Sequence, residues 1–296
     1  MIRRAILSAA LFALALPSAV HAAAVEEKEV LSGKVKRNPE LGYIYLHAEN
    51  RLIGQFLRVP DEDDRKQFEQ DWRDGLARAR EQYAKDLARW EKDAAMAAKT
   101  KARVRDKPVE PNEETYSIGT LEARGLTGFG PTYMFAKTKA PERFSYMQAV
   151  RPGTYVYYGP VNWVEDIGLV GTCYCMGSVR FEVKAGTIAN LGNFLTAAPK
   201  IPAGWPATAI SEQRTLGSGF GFFLVNAPDK ATEPNFDLPA SLKDWPSEVP
   251  DFRAAGKMNN CNGVMITRMP PVPGVLAYDR DRVIDVKAEA GAGVAR

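Results

Sequence analysis

Histidine is almost missing from this chain: 296 residues contain two, His21 and His47. His21 falls in a segment read below as a removable leader. One histidine is then left, so neither a histidine-based triad nor a multi-histidine zinc site can be assembled. An excess of charge of one sign is missing too. Lysine and arginine number 39 against 36 acids, and the first 22 residues hold two of those bases and no acid. The remainder is close to neutral, without the basic footprint of a nucleic-acid binder. Past the opening segment no apolar run approaches bilayer-spanning length. With 45% apolar and 25% charged residues, the composition excludes wholesale disorder and collagen. It describes a globular chain long enough to bury a sizeable core.

What is there begins with an export signature. Arg3 and Arg4 precede an apolar stretch over 5–16, Pro17 ends it, and Val20-His-Ala22 offers small residues at a cleavage site. Such a stretch reaches about 18 Å as a helix, short of the ~30 Å hydrocarbon layer. The segment 1–22 therefore predicts a cleaved leader, a periplasmic or secreted chain, and no integral membrane protein. The residues flanking the arginine pair fit the general secretory route better than the twin-arginine one. No cysteine sits at the cleavage point to take a lipid.

Export gives the three cysteines a context. Cys173 and Cys175 lie in Gly171-Thr-Cys-Tyr-Cys-Met-Gly177, and Cys261 stands alone. In an oxidising compartment a pair becomes a bridge and an odd count leaves one over. If 171–177 is a strand, the two sulfurs share a face but sit too far apart, so a direct bond needs a turn there. The expectation is a bridge from one of them to Cys261. Met176, Met258, Met265 and Met269 lie near these cysteines in sequence, a thiolate and thioether set that suits Cu(I). Methionine is also a common core filler, and no metal motif of fixed spacing is complete.

The hydrophobic pattern is that of a sheet protein interrupted by one long helix. Strand-like runs fall at 43–49, 52–59, 116–123, 133–136, 144–150, 153–158, 178–184 and 188–194. In 178–184 Val179, Phe181 and Val183 alternate with Arg180, Glu182 and Lys184. In 43–49 Ile44, Leu46 and Ala48 take one face. Tyr43, Tyr45 and His47 take the other, a row that could stack on sugar or peptide if exposed.

The interruption spans 61–105. Pro60 and the acids Asp61, Glu62, Asp63 and Asp64 open it, and a basic run at 99–107 closes it, a polarity that complements a helix dipole. Phe68, Trp72, Leu76, Ala79, Tyr83, Leu87 and Trp90 follow steps of four, four and three, giving one nearly straight apolar stripe. Glu69–Arg73, Asp74–Arg78 and Glu81–Lys85 are spaced for favourable pairing. A helix this long must cross the sheet and project, bend near Gly75, or meet a second copy as in a coiled coil. The balanced polar face argues against an anionic membrane as its partner.

Beyond residue 198 the composition shifts: eleven of the twenty prolines lie there. Strands are expected at 220–226, 264–268, 274–278 and 283–287, with 289–296 frayed. The region 199–296 reads as extended segments wrapped on or next to a β-sandwich domain at 23–198. Tyr278-Asp-Arg-Asp-Arg-Val-Ile-Asp285 groups Asp279, Asp281 and Asp285, which could do carboxylate hydrolysis or form a salt-bridged hairpin. Gly217-Ser-Gly-Phe-Gly221 has the wrong spacing for a phosphate loop, and Ser218 lacks a nucleophile-elbow context.

Arg151-Pro-Gly-Thr-Tyr-Val-Tyr157, with Phe181-Glu-Val-Lys-Ala-Gly-Thr-Ile188 and Gly192, resembles a pairing in exported bacterial β-sandwich domains of the prealbumin-like or carboxypeptidase-regulatory-like kind. There a Pro-Gly-x-Tyr turn starts a strand and a Phe-x-Val-x-Ala-Gly edge closes a hairpin. With Gly274-Val-Leu-Ala-Tyr-Asp-Arg-Asp-Arg282 the chain is similar to secreted proteins of Gram-negative bacteria. The resemblance covers about a sixth of the chain and implies a non-catalytic envelope module with no active-site residues.

The expectation is thus a mainly β protein, an antiparallel sandwich with an inserted helix and a Pro-rich C-terminal region. It would act without catalysis or cofactor, through the helix (Phe68, Trp72, Leu76, Tyr83, Leu87, Trp90) or the sheet face. The partner would be an envelope protein or a second copy. A periplasmic carboxylate hydrolase and a Cu(I)- or thiol-handling protein are the alternatives.

Overall fold

A computed structural model describes residues 22–139, 142–164, 168–197, 233–261 and 264–293. The expected leader up to residue 21, the strand expected at 220–226, Gly217-Ser-Gly-Phe-Gly221 and Ser218 lie outside the described residues.

The chain starts with β1 (Ala23–Ala24), a short α1 (Glu27–Leu31), β2 (Gly42–Ala48) and β3 (Gly54–Arg58). The long α2 (Glu62–Thr100) follows. Then come β4 (Leu126–Phe129), β5 (Ala136–Lys139), β6 (Glu142–Val150) and β7 (Gly153–Gly159). After them run β8 (Val161–Val164), β9 (Gly168–Cys173), β10 (Ser178–Val183) and β11 (Ile188–Gly192). The C-terminal region adds β12 (Ser247–Glu248), β13 (Arg253–Ala255), β14 (Met265–Ile266), β15 (Leu276–Asp279), β16 (Arg282–Asp285) and α3 (Val286–Gly293).

The protein is mainly β, with several sheets and one long helix. One sheet runs β1-β6-β2-β11-β12 with β5 also on β6, a second runs β13-β10-β7-β3-β4, a third is β14-β9-β8, and β15–β16 is a hairpin. Both larger sheets feed one hydrophobic cluster. Ile44, Leu46, Tyr146 and Leu191 come from the first, and Phe56, Tyr157, Val179, Phe181 and Val183 from the second. The alternation read in β10 is realised, its Val179, Phe181 and Val183 buried and Arg180 and Glu182 exposed. Core tyrosines place their hydroxyls on backbone, as a buried phenol requires. Tyr146 accepts from the Leu52 N–H at 2.8 Å and Tyr155 donates to the Arg151 carbonyl at 2.7 Å.

Several expectations need correction. The sheets are not wholly antiparallel: β11 runs parallel to β2 and to β12, and β14 parallel to β9. Long intervening chain permits such crossovers. The turn at Ala185-Gly186 does not close a hairpin, because it hands the chain from β10 in one sheet to β11 in the other. No strand forms at 116–123; a 3-10 turn at Glu122–Gly125 leads into β4, while Tyr116 lies against α2. The strand expected at 283–287 gives way at Val286 to α3, whose Ala288 N–H is capped by Asp285. The described C-terminal strands β12 and β13 are edge strands of the first and second sheets.

Candidate functional site

α2 begins at an Asp61 N-cap in a capping box. The Asp64 N–H donates to Asp61 at 2.9 Å, and the Asp61 N–H donates to Asp64 at 3.0 Å. The same carboxylates meet a buried arginine. Arg58, the last residue of β3, pairs with both, and Arg151 adds a bond to Asp64 at 2.6 Å. Burial alone would raise the Asp61 carboxyl, but the Asp64 N–H and the Arg58 guanidinium hold it down to about 2. Helix and sheet are thereby riveted at one end. The helix closes at Lys101, which adopts the left-handed conformation at φ 58°. It ends at Thr100 and not at 105, because residues past Lys101 run back along it.

That return segment covers the apolar stripe. The Trp90 indole donates to the Arg105 carbonyl at 2.8 Å, Arg80 to the Pro111 carbonyl at 3.4 Å, and the Trp72 indole to the Tyr116 carbonyl at 3.2 Å. The Arg124 guanidinium lies over Phe68 and also pairs with Asp71. Helix numbers rise as strap numbers fall, so the two run antiparallel. Eighteen helical residues from 72 to 90 span ~27 Å, well inside the ~36–40 Å reach of the strap from 105 to 116, which turns at 112–116. Pro108 and Pro111 suit that role, since an extended strap outside any sheet needs no N–H from them. At Gly75 the strap leaves no room for a side chain: a Cβ there would overlap the Tyr116 hydroxyl. Gly75 is a contact point between helix and strap.

Leu76 is buried, and Phe68, Trp72, Tyr83, Leu87 and Trp90 are half-buried. The predicted stripe is real, but the chain itself supplies its first cover. Among the described elements no strand packs along α2. The arm is an insertion in a β-hairpin: β3 and β4 pair antiparallel, Leu57 opposite Leu126, with α2 and the strap between them. Exposed apolar side chains lie away from the riveted end, Met96 at 68% and Val109 at 88% exposure. Of the predicted ion pairs along the helix, Glu69–Arg73 forms at 3.3 Å.

The other sequence-derived surface is covered. Tyr43, Tyr45 and His47 are buried, so they form no open face for sugar or peptide. Tyr43 packs edge-on against Trp245 at 4.9 Å, and Tyr45 lies against Phe135 in a second hydrophobic cluster that α1 and the 238–245 segment cover. β2 thus has cores on both faces. His47 Nε2 has no hydrogen-bond partner among the described residues, and burial, with Arg143 nearby, brings its pKa to about 4.

The acids of the hairpin do not converge on a cleft. Asp281 is 89% exposed and pairs with Arg268. Asp285 takes Arg253 Nε at 2.9 Å, and Asp279 lies 3.7 Å from Arg282. This is a salt-bridged turn.

The cysteine expectation is overturned. Cys173 and Cys175 pair with each other, Cα atoms 5.1 Å apart, and Cys261 is free. The strand β9 stops at Cys173 and a turn carries Cys175, which brings the sulfurs together. Among the described residues no group of three His, Cys, Asp or Glu is placed to hold a metal ion.

Sequence reasoning missed Arg58, Arg151 and the strap as parts of the arm. The acids at 61–64 marked the start of the helix, but nothing local signalled the cap that Asp61 and Asp64 form or the arginines that meet it. No protein-family model matches this sequence, and comparison with curated proteins and with solved structures finds no match.

Proposed function

We propose that this chain is an exported, non-catalytic β-sandwich module of the cell envelope that engages an envelope protein through its helix-and-strap arm. The observation that carries this reading is the arm's position, inserted in the β3–β4 connection and packed along no strand among the described residues. A core that needed α2 for burial would lie against it. The shared cluster fed by both large sheets supports the sandwich, and the leader-like segment supports export. The thirteen acids and thirteen bases over 61–110 favour a protein partner over an anionic membrane. No helix among the described residues is long and apolar enough to cross a membrane.

The test is a chain in which 60–121 is replaced by a short Gly-Ser linker, compared with photo-crosslinking from Met96 and Val109 in cells exporting the protein. The expected result is an unchanged unfolding transition for the shortened chain and a discrete cross-linked product from the two arm positions, with none from Lys139. Collapse of the shortened chain would make the arm architectural. A product of twice the chain mass, together with a wild-type dimer in sedimentation that Trp90→Asp dissociates, would name a second copy as the partner.

A further inference from the structure

The three sulfurs form a site of their own, far along the chain from the arm's stripe. Cys175 Sγ lies 3.5 Å from the carbonyl oxygen of Asn259, and Cys261 Sγ lies 3.4 Å from that same oxygen. The two sulfurs are therefore no further apart than about twice a hydrogen-bond length. Cys173 and Cys175 are fully buried, packed with Leu57, Tyr158 and Val264, and Cys261 is half-buried at the edge of that cluster beside Met258. The surrounding backbone is pinned. The Met258 N–H donates to the Cys175 carbonyl at 2.8 Å, the Thr267 N–H to the Cys173 carbonyl at 2.9 Å, and the Tyr174 N–H to the Tyr158 carbonyl at 2.7 Å. A buried disulfide thus has one half-buried thiol at its side.

We propose that Cys261 is the exchange partner of the Cys173–Cys175 pair, so that the protein holds two interconverting disulfides, Cys173–Cys175 and Cys175–Cys261. In the forward step the Cys261 thiolate attacks Cys175 Sγ, the Cys175–Cys261 bond forms, and the Cys173–Cys175 bond breaks. Cys173 leaves as a thiolate and takes up a proton. One disulfide is consumed and one is made, so no external oxidant or reductant enters. Attack at Cys175 is assigned because its sulfur, not that of Cys173, shares the Asn259 carbonyl with Cys261. The step moves the free thiol from the half-exposed position to a buried one, which makes the chain's reactivity toward small thiol reagents depend on which bridge it holds. Burial raises the Cys261 thiol, Glu122 adds to this, and the Thr120 and Tyr158 hydroxyls act against it. Exchange is accordingly slow at neutral pH and faster in alkali.

Tryptic mapping of the full-length chain reads this out directly, because Cys173 and Cys175 fall in peptide 144–180 and Cys261 in peptide 258–268. After incubation at pH 8.5, acid quench and maleimide blocking, the two peptides are expected to appear partly cross-linked, with maleimide on Cys173. Cys261→Ser is expected to lose that product entirely. In Cys173→Ser, diamide is expected to join Cys175 to Cys261 at least tenfold faster in native buffer than in urea. Absence of any linked pair in the wild type would overturn the proposal without recourse to a variant. A link carried by Cys173, or a native rate no faster than in urea, would overturn it equally.

Discussion

At His47 burial and the nearby Arg143 both disfavour the protonated ring. The ring titrates near 6.5 in an unfolded chain and at about 4 in the folded one, so between those values the unfolded chain binds the proton that the folded chain refuses. The group's contribution to stability is complete above pH 6.5 and is lost as pH falls through 4. A shift of that size corresponds to about 3 kcal/mol. Urea midpoints at pH 7 and pH 4.5 should differ accordingly, and His47→Gln should flatten that part of the profile. Asp61 acts in a separate, more acid window, below 3.8, because its folded pKa lies near 2. A second residue-scale strain sits at Arg280, a non-glycine residue at φ 53° in the β15–β16 turn. Arg268 reaches its backbone carbonyl, which any residue retains. Arg280→Gly should stabilise the protein by ~0.5–1 kcal/mol in thermal unfolding.

At the scale of elements the arm is a helix zipped to an extended strap. Each indole N–H of the stripe finds a strap carbonyl, and ring and guanidinium contacts fill the intervals. Glycine inside an exposed helix normally gains about 1 kcal/mol on replacement by alanine, but at Gly75 the Tyr116 hydroxyl occupies the space a side chain needs. Gly75→Val should therefore lift the strap from the helix despite adding apolar surface. Limited trypsinolysis at Lys101, Arg103 and Arg105 should speed up several-fold, with helical circular dichroism nearly unchanged. An unaltered cleavage rate would mean that Tyr116 does not hold the strap down.

At the scale of the molecule two structures of different kinds share one chain. The core between the large sheets is closed by rings such as Phe56, Tyr155, Phe181 and Phe252, with Phe181 at the meeting point. Phe181→Ala should cost about 3–5 kcal/mol in denaturant unfolding. Trp90→Ala should leave that transition within about 0.5 kcal/mol while loosening the strap, since no strand among the described residues packs along α2. Coupled losses from both substitutions would mean that arm and core unfold as one unit.

Local features were legible in the residues alone. The helix followed from its periodicity and terminal charges within a few residues of Glu62–Thr100, and the inward set of β10 from simple alternation. These patterns are written by neighbours one, two or four residues apart. Partners were not legible, because they come from chain that returns from elsewhere. Nothing in the alternation of β2 marks Tyr43, Tyr45 and His47 as covered, since an aromatic face fits solvent or a second core equally. Nothing in the stripe names its own strap, and cysteine spacing favoured Cys261 until a turn after Cys173 put Cys175 within reach. Periodicity fixes which side of an element is apolar; the fold alone decides what lies against it.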